Sequence, residues 1–195
     1  MGLARVHRVS YVGELGWEVY VSADMAGHIF ETIWAAGRDM DARLCGMHMM
    51  DSCRIEKAFR HFGHDITCED HVLEAGLGFA VGKDKGEFIG RNAVDAKRDA
   101  GLSKRLVQFL LTDPERLVFH NEPVVRDGEI VGYLSSGSYG HTLGGAVGLG
   151  YVPCAGETAQ QVLSSSYEIE VAGMRVPAKA SLRPMYDPTS ERVRA

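Results

Sequence analysis

The first residues of the chain alternate apolar and polar positions with a period of two, which is the pattern of a β-strand with one buried face. The stretches RVHRVSYV and WEVYV follow this pattern, and GELG lies between them. Gly13 and Gly16 permit the positive φ angles that short connections between strands often need. The pattern therefore predicts a β-hairpin at the start of the chain.

Glu18 is the unusual residue of this hairpin, because it places a carboxylate inside a strand between Trp17 and Tyr20. Two arrangements are compatible with the sequence. The side chain points outward while Val19 and Val21 face the core, or the carboxylate enters a pocket and meets a paired donor. The spacing alone favours the outward arrangement.

Helical spacing of apolar residues follows the hairpin. SADMAGHIFETIWAAG predicts a first helix, with Asp24 as its N-cap and Gly37 at its end. A second helix is predicted from about Met47 to Phe62. Beyond it, LGFAV has the pattern of a strand, and GEFIGRNAVDAKRDAG has that of a turn leading into a short helix. The first half is therefore predicted to be α+β.

From Lys104 the pattern changes to short strands at the spacing of hairpins, with RDGE and VAGM as turn sequences. Repeated strands and turns, without a helix able to cover a sheet, predict a small antiparallel barrel or sandwich. The glycine-rich stretches SSGSYGHTLGG and GGAVGLG are predicted to form its turns and bends. The charged segment 97–104, where the periodicity switches, is the predicted domain boundary.

Composition narrows the choice of partners and compartment. The chain has 195 residues and a formal net charge of −5, which gives no electrostatic basis for binding nucleic acid or an anionic membrane. Its apolar runs fall short of the roughly 18 residues of a spanning helix, and its first residues lack the pattern of a signal peptide. The four cysteines show no paired spacing, which favours reduced thiols. We therefore expect a cytoplasmic protein.

The stretch HFGHDITCEDH holds the most prominent cluster of metal-binding side chains. These side chains have spacings that zinc could use: His61, His64, Cys68 and His71. The cluster matches no standard zinc-finger pattern. The alternative is that His61 closes a helix, favoured there by the helix dipole, and that a polar loop begins at His64. We assign no metal to the chain.

Two other catalytic patterns are incomplete. Serines lie near His141, but the chain has no Gly-x-Ser-x-Gly elbow between a strand and a helix. GGAVGLG is similar to a dinucleotide-binding loop, but no predicted helix follows it, so no helix N-terminus is available for a pyrophosphate. Neither a serine hydrolase nor a dinucleotide site is predicted.

Five motifs, taken in order, resemble the glycine cleavage T-protein (aminomethyltransferase) family. They are YVGELGWEVYV, MDSCRIEKAFRHFGHDIT, LEAGLGFAVGKDKGEFIGRNAV, VGYLSSGSYGHTLGGAVGLGYV and LRPMYDP. The second and fourth are most similar to the C-terminal folate-binding region of sarcosine and dimethylglycine dehydrogenases. The resemblance implies an α+β fold, with part of the folate-binding domain over residues 1–98 and an antiparallel β-barrel over residues 104–190.

The resemblance also implies a cofactor and a site. Family members transfer an aminomethyl or methyl unit, with tetrahydrofolate as the bound acceptor. Glu18 falls on the family's pterin-binding glutamate, whose carboxylate can accept two parallel N–H bonds, and this favours the pocket arrangement. Tyr11 falls on a tyrosine of the same site, and Phe79 stands where T-proteins often have tryptophan. Met50 replaces an arginine that helps to hold folate, and a thioether cannot supply that charge.

A long segment precedes the first motif in the family and includes an aspartate thought to assist catalysis, whereas only residues 1–9 precede Ser10 here. We expect either a C-terminal portion of a longer protein or a chain that a partner completes, such as a flavin dehydrogenase domain. Association between copies would also cover exposed edges. The implied small-molecule partners are folate and a methylated amine donor. A non-catalytic folate-binding or assembly module is the alternative.

Arg54 and Glu56 match the helix of the second motif. Residues two apart on a helix do not face each other. We therefore expect both side chains to pair with other elements and to act as scaffold.

Overall fold

The computed structural model describes residues 2–82 and 84–195. An N-terminal region of short strands and helices precedes a β-barrel. The helices are α1 (Ala26–Gly37), α2 (Met47–Glu56), α3 (Arg91–Ala100), α4 (Ala159–Ser164) and α5 (Glu191–Arg194). The strands are β1 (Arg5–His7), β2 (Glu18–Tyr20), β3 (Lys104–Leu111), β4 (Pro123–Arg126), β5 (Glu129–Gly140), β6 (Gly145–Pro153), β7 (Tyr167–Val171) and β8 (Met174–Ser181).

The opening hairpin is present but shorter than its pattern predicts. β1 and β2 pair antiparallel over three residues each, with Val6 opposite Val19 and His7 opposite Glu18. Residues 8–17 form a long connection rather than a four-residue turn. The prediction that the first strand continues through SYV was wrong. Ser10 instead accepts a hydrogen bond from the Gly13 amide within the loop, and Tyr11 donates to the Arg60 carbonyl just beyond α2.

The first two helices differ from their predictions at the ends. Asp24 lies inside a 3-10 turn, Ala23–Met25, and α1 begins after it without a side-chain cap. α2 ends at Glu56, six residues before the predicted Phe62. There Ala58 takes a φ of +52° and the Phe59 amide donates to the Arg54 carbonyl at 2.8 Å. This is the geometry of a helix C-terminus that usually has glycine.

The predicted LGFAV strand was wrong. Gly78–Ala80 forms a 3-10 turn, in which the Ala80 amide donates to the Leu77 carbonyl at 2.9 Å. A short apolar run has no periodicity that distinguishes a strand from a single helical turn. The short helix predicted after it is confirmed as α3, which lies between Gly90 and Gly101, both with positive φ.

The second half is a closed antiparallel barrel with strand order β3-β6-β5-β4-β7-β8. Its interior is lined by fully buried apolar side chains, among them Val107, Phe109, Val124, Leu134 and Ile169. The α+β class with a C-terminal barrel is therefore confirmed, and the barrel replaces the sandwich alternative. The division of the chain into residues 1–98 and 104–190 stays a prediction.

The two-residue turns of the barrel form as predicted, whereas the prediction that the glycine-rich stretches form turns and bends is confirmed only in part. Asp127–Gly128 and Ala172–Gly173 connect their hairpins with positive φ at every position, as two-residue turns require. SSGSYG and GAVGLG are strand residues of β5 and β6, and within the two stretches only residues 141–144 form a turn. Their glycines allow close approach: a Cβ on Gly137 would lie 2.7 Å from the Phe119 carbonyl oxygen.

Candidate functional site

Glu18 lies on the polar face of the β1–β2 hairpin. Alternation along the strand places Glu18 and Tyr20 on one face and Val19 on the other. The Tyr20 hydroxyl donates to Glu18 Oε2, and the Tyr20 ring lies 5.1 Å from the His7 ring on the paired strand. The hydrogen bond to Glu18 raises the pKa of Tyr20. Glu18 is exposed, so its carboxylate is accessible to a ligand.

Tyr11 lies in the connection between the two strands and is half-buried against residues 59–60, just beyond α2. Its hydroxyl donates to the Arg60 carbonyl at 3.2 Å, and its ring stacks on Phe59 with centroids 6.4 Å apart. Burial raises the pKa of the Tyr11 hydroxyl. These contacts fix the loop and leave the tyrosine neutral at physiological pH.

Phe79 projects from the 3-10 turn between α2 and α3 and is 83% exposed. An aromatic side chain with this exposure has a ring face available for stacking. Met50 is half-buried on α2, four residues before Arg54. The predicted role of the set Glu18, Tyr11 and Phe79 in binding folate stays a prediction, because none of the three lines the cavities described below.

One cavity, of about 540 Å³, lies between residues 64–70 and strands β5 and β6. Lys104 lies in its wall, bonded to Asp70 at 2.6 Å and placed 4.2 Å from the centre of the Tyr151 ring. The Tyr151 hydroxyl is buried and has no hydrogen-bond partner among the described residues. Burial raises its pKa, so the cavity presents a neutral phenol.

A second cavity, of about 440 Å³, lies between α2, β5 and the loop before β4. Imidazoles and hydroxyls dominate its polar lining, which includes His48, His61, His64, His120 and Ser138. The guanidinium of Arg54 also contributes to this lining. The sequence did not predict this cavity, because residues from three distant segments form it.

A buried polar network connects residues that line the two cavities. Arg54 Nη1 donates to Asp65 Oδ2 at 2.7 Å, and Arg54 Nη2 donates to Ser136 Oγ at 2.9 Å. Asp65 is fully buried and also accepts bonds from the His61 amide at 2.8 Å and from Ser135 Oγ at 2.5 Å. A buried charge pair needs such additional bonds to offset its desolvation.

Glu56 joins the end of α2 to the turn between β5 and β6. Its Oε1 accepts hydrogen bonds from the amides of Thr142 and Leu143, at 2.7 and 2.8 Å. The expectation that Arg54 and Glu56 pair with other elements is therefore confirmed. Both residues attach the N-terminal region to the barrel.

The histidine cluster of the sequence is only partly assembled. The rings of His61 and His64 lie 4.5 Å apart. Across residues 2–82 and 84–195, no group of three or more His, Cys, Asp or Glu side chains is arranged to hold a metal ion. In the same ranges, no helix is long and apolar enough to cross a membrane.

Comparison with protein families gives matches to both halves of the chain. Residues 2–85 match the GCVT N-terminal domain, and residues 104–187 match the glycine cleavage T-protein C-terminal barrel domain. The chain belongs to the glycine cleavage T-protein family. The resemblance inferred from the five motifs is thereby confirmed.

Two curated relatives extend this family placement. A 4-methylaminobutanoate oxidase (formaldehyde-forming) from Paenarthrobacter nicotinovorans is 45% identical over 194 residues, which are 99% of this chain and 23% of that protein. The mitochondrial sarcosine dehydrogenase of Homo sapiens is 34% identical over 196 residues, with 98% of this chain and 21% of that protein covered. The chain thus spans less than a quarter of the length of either relative.

A solved structure has the same fold. The aminomethyltransferase T of the glycine cleavage system from Bartonella henselae superposes with a TM-score of 0.80 at 24% identity. The match covers 94% of this chain and 50% of that one. It shows that the N-terminal region and the barrel are arranged as in that protein.

Proposed function

We propose that this T-protein family chain takes part in tetrahydrofolate-dependent one-carbon transfer, as the C-terminal portion of a protein that oxidises a methylated amine. Family membership over both halves supports the reaction class. The names of the two relatives, an oxidase that forms formaldehyde and a sarcosine dehydrogenase, support an N-methyl group as the source of the carbon. When bound, tetrahydrofolate supplies the nitrogen atoms that accept the one-carbon unit.

The carboxylate of Glu18 is the observation on which the proposal depends. It is exposed, and only Oε2 has a partner among the described residues, the Tyr20 hydroxyl. The aminopyrimidine edge of a pterin offers two parallel N–H donors, and a carboxylate can accept both with charge-assisted bonds. The residues present therefore fit the pterin, and Glu18 is the group that would hold it.

Two aromatic residues complete the proposed site. Phe79 would offer its exposed ring face to the pterin or to the linker of the cofactor. Tyr11 has its hydroxyl engaged by Arg60, so we assign it packing and orientation rather than proton transfer. Orienting the acceptor nitrogens and excluding water is the contribution of the protein in such a transfer.

Calorimetric titration with tetrahydrofolate tests this function. We expect Glu18→Gln to weaken binding about 5- to 150-fold, the equivalent of ~1–3 kcal/mol for an unpaired polar partner. Glu129→Gln, which removes an exposed carboxylate at the start of β5, is the matched control and should leave the affinity unchanged. Equal affinity of Glu18→Gln and the parent chain would refute the assignment of Glu18.

A non-catalytic binding or assembly module is the second candidate. Met50 favours it, because the family's folate-binding arginine is replaced by a side chain without charge. Formation of 5,10-methylenetetrahydrofolate from tetrahydrofolate and an amine or formaldehyde donor, above the uncatalysed rate, would exclude this candidate. Absence of any binding in the titration would support assembly instead.

We further propose a flavin dehydrogenase domain as the partner that delivers the one-carbon unit. The names of the relatives and the small share of their length that this chain covers support this partner. Association of two copies is a second possible source of a complete site. The four cysteines, which are all free in the structure, support a reducing compartment, and we propose the cytoplasm.

A further inference from the structure

The segment that follows the barrel runs back across the end of α2. The Met185 amide donates to Gln108 Oε1 at 2.8 Å, and the Tyr186 amide donates to the Glu56 carbonyl at 3.3 Å. Gln108 is itself buried on β3 and donates to the Ile55 carbonyl at 2.7 Å. Residues 183–187, here called the tail segment, are therefore attached to both the barrel and the helix.

A buried ion pair anchors the tail segment. Lys57 is fully buried, and its ammonium group donates to Asp187 Oδ2 at 2.6 Å and also to the Asp187 carbonyl. Asp187 has a φ of +43°, and its carboxylate accepts from the amides of Glu191 and Arg192 at 2.9 and 3.2 Å. An aspartate in this left-handed conformation is held there by its bonds. The anchor is therefore determined by several contacts at once.

The turn that contains Glu14, residues 13–16, packs against this ion pair and is called the Glu14 turn here. Gly13 has a φ of +83°, and a Cβ at this position would lie 2.9 Å from Lys57 Cγ, so the turn lies directly against the lysine stem. The Tyr186 hydroxyl donates to Glu14 Oε1. The tail segment and the lysine thus contact the same turn, Gly13–Gly16.

The Glu14 turn helps to determine where the β1–β2 hairpin lies. β1 and β2 pair with each other, and all six of their residues are exposed. The connecting loop carries contacts to the rest of the molecule: Tyr11 bonds the Arg60 carbonyl just beyond α2, Glu14 bonds the tail segment, and Arg8 donates to the Ala195 carbonyl at 2.9 Å. Glu18 begins β2 directly after this loop, and Glu14 is the attachment nearest to it in sequence, so the position of Glu18 depends on where the Glu14 turn is held.

We propose that Tyr186, anchored by the Lys57–Asp187 ion pair, is a positioning residue that holds the Glu14 turn and thereby orients Glu18 toward its ligand. The role of Glu18 in this inference rests on the proposed function. The Tyr186–Glu14 hydrogen bond and its Lys57–Asp187 anchor, here called the latch, are properties of the fold. Tyr186 acts through Glu14; among the described residues, no hydrogen bond joins its side chain to Glu18, Tyr11 or Phe79. The tail segment thus gives the barrel domain control over a site on the N-terminal region.

The test compares Tyr186→Phe, which removes only the hydroxyl, with Tyr133→Phe, an exposed tyrosine on β5. Hydrogen exchange of the backbone amides of residues 13–20 reports local opening of the turn and of β2. We expect exchange there to accelerate at least fivefold in Tyr186→Phe and tetrahydrofolate affinity to fall by a similar factor. The urea midpoint of global unfolding should shift much less, and Tyr133→Phe should match the parent chain in all three measurements.

Variants of Glu14 separate positioning from a general loss of charge. Glu14→Gln keeps an acceptor oxygen for the Tyr186 hydroxyl and should retain most of the exchange protection, whereas Glu14→Ala should behave like Tyr186→Phe. Combining Glu14→Ala with Tyr186→Phe should add little, because both remove the same hydrogen bond. Additive effects of the two changes would contradict the latch.

The two readouts keep this inference separate from the proposed function. If the parent chain binds no tetrahydrofolate, the proposed function fails, and the exchange data alone still decide whether the latch exists. Unchanged exchange at residues 13–20 in both Tyr186→Phe and Glu14→Ala would refute the latch. Faster exchange with unchanged tetrahydrofolate affinity would refute the orientation of Glu18 by Tyr186.

Discussion

Asp65→Asn is the sharpest test of the link between the two halves of the molecule. The asparagine preserves the shape of the side chain and keeps one carbonyl oxygen for the His61 amide or the Ser135 hydroxyl. It removes the charge that faces Arg54, whose side chain is 5% exposed while that of Asp65 is fully buried. Arg54 then retains one carboxylate partner, Asp51, whose Oδ1 lies 3.2 Å from Arg54 Nε. The Asp51 side chain is 41% exposed.

The expected loss of stability in Asp65→Asn follows from the burial of the Arg54–Asp65 ion pair. Removing one partner of a buried ion pair costs about 3–5 kcal/mol when the remaining charge stays desolvated, and the half-exposed Asp51 compensates Arg54 only in part. For a chain of this size each kcal/mol corresponds to about 2–4 °C in melting temperature, so we expect a decrease of about 6–20 °C. An exposed pair would contribute ~1 kcal/mol at most, so the two cases are easily distinguished.

Urea and thermal unfolding followed by circular dichroism measure the effect. Asp113→Asn is the matched control, because Asp113 pairs with Arg116 at 3.0 Å and both side chains are 40% exposed. We expect it to leave the unfolding curve nearly unchanged. Adding Arg54→Met to Asp65→Asn should recover part of the lost stability, because no unpaired charge then remains buried.

Two outcomes would refute this reasoning. A stability loss below ~1 kcal/mol in Asp65→Asn would mean that water reaches Arg54 and that the pair behaves like a surface pair. A double variant less stable than Asp65→Asn alone would mean that the packing of the arginine stem, and not its charge, holds α2 against the barrel.

Two further predictions concern titration and packing. Burial tends to raise the pKa of Glu74, but hydrogen bonds from Lys97 and Ser103 outweigh it and lower the pKa from 4.5 to about 2. This stabilisation is complete above pH 4.5 and is lost as pH falls toward 2. The parent chain should therefore lose more stability across that range than Glu74→Gln. If the free energy of unfolding from urea titrations changes with pH in the same way in both chains, the lowered pKa of Glu74 is contradicted. Gly27→Ala, with open space at its Cβ inside α1, should raise the free energy of unfolding by ~0.5–1 kcal/mol. Gly137→Ala should lower it by about 1–3 kcal/mol, because its Cβ would meet the Phe119 backbone; equal effects of the two glycine changes in thermal melts would show that the barrel accommodates the extra methyl group.

Local signals account for the parts of the fold that the sequence predicts correctly. Asp127, Gly128 and Gly173 adopt positive φ in their turns because aspartate and glycine tolerate it. α3 starts after Gly90 and ends before Gly101. One local signal was missed: Thr158 and Gln161 form a capping box at the start of α4, a pattern that the sequence displays.

Other features depend on partners that are distant in sequence. α2 ends at Glu56 because its last turn is fitted to the barrel, with Glu56 bonded to the amides of Thr142 and Leu143. No periodicity within residues 47–62 carries that information. The strand predicted at LGFAV failed for the same reason, because strand formation requires a neighbouring strand to pair with.

The sequence by itself determined the class of the molecule: the barrel strands, most turns and the family, through five motifs in order. Only the tertiary structure decided which charges are buried and how they are paired. Lys57 and Asp187 lie 130 positions apart, and Arg54 and Asp65 lie 11 apart within the second motif, but no local pattern indicates that either pair forms. Local conformation depends on neighbouring residues, whereas the desolvation of a charge depends on everything that packs around it. The buried pairs, and the contacts that attach the N-terminal region to the barrel, are therefore decided only in the folded chain.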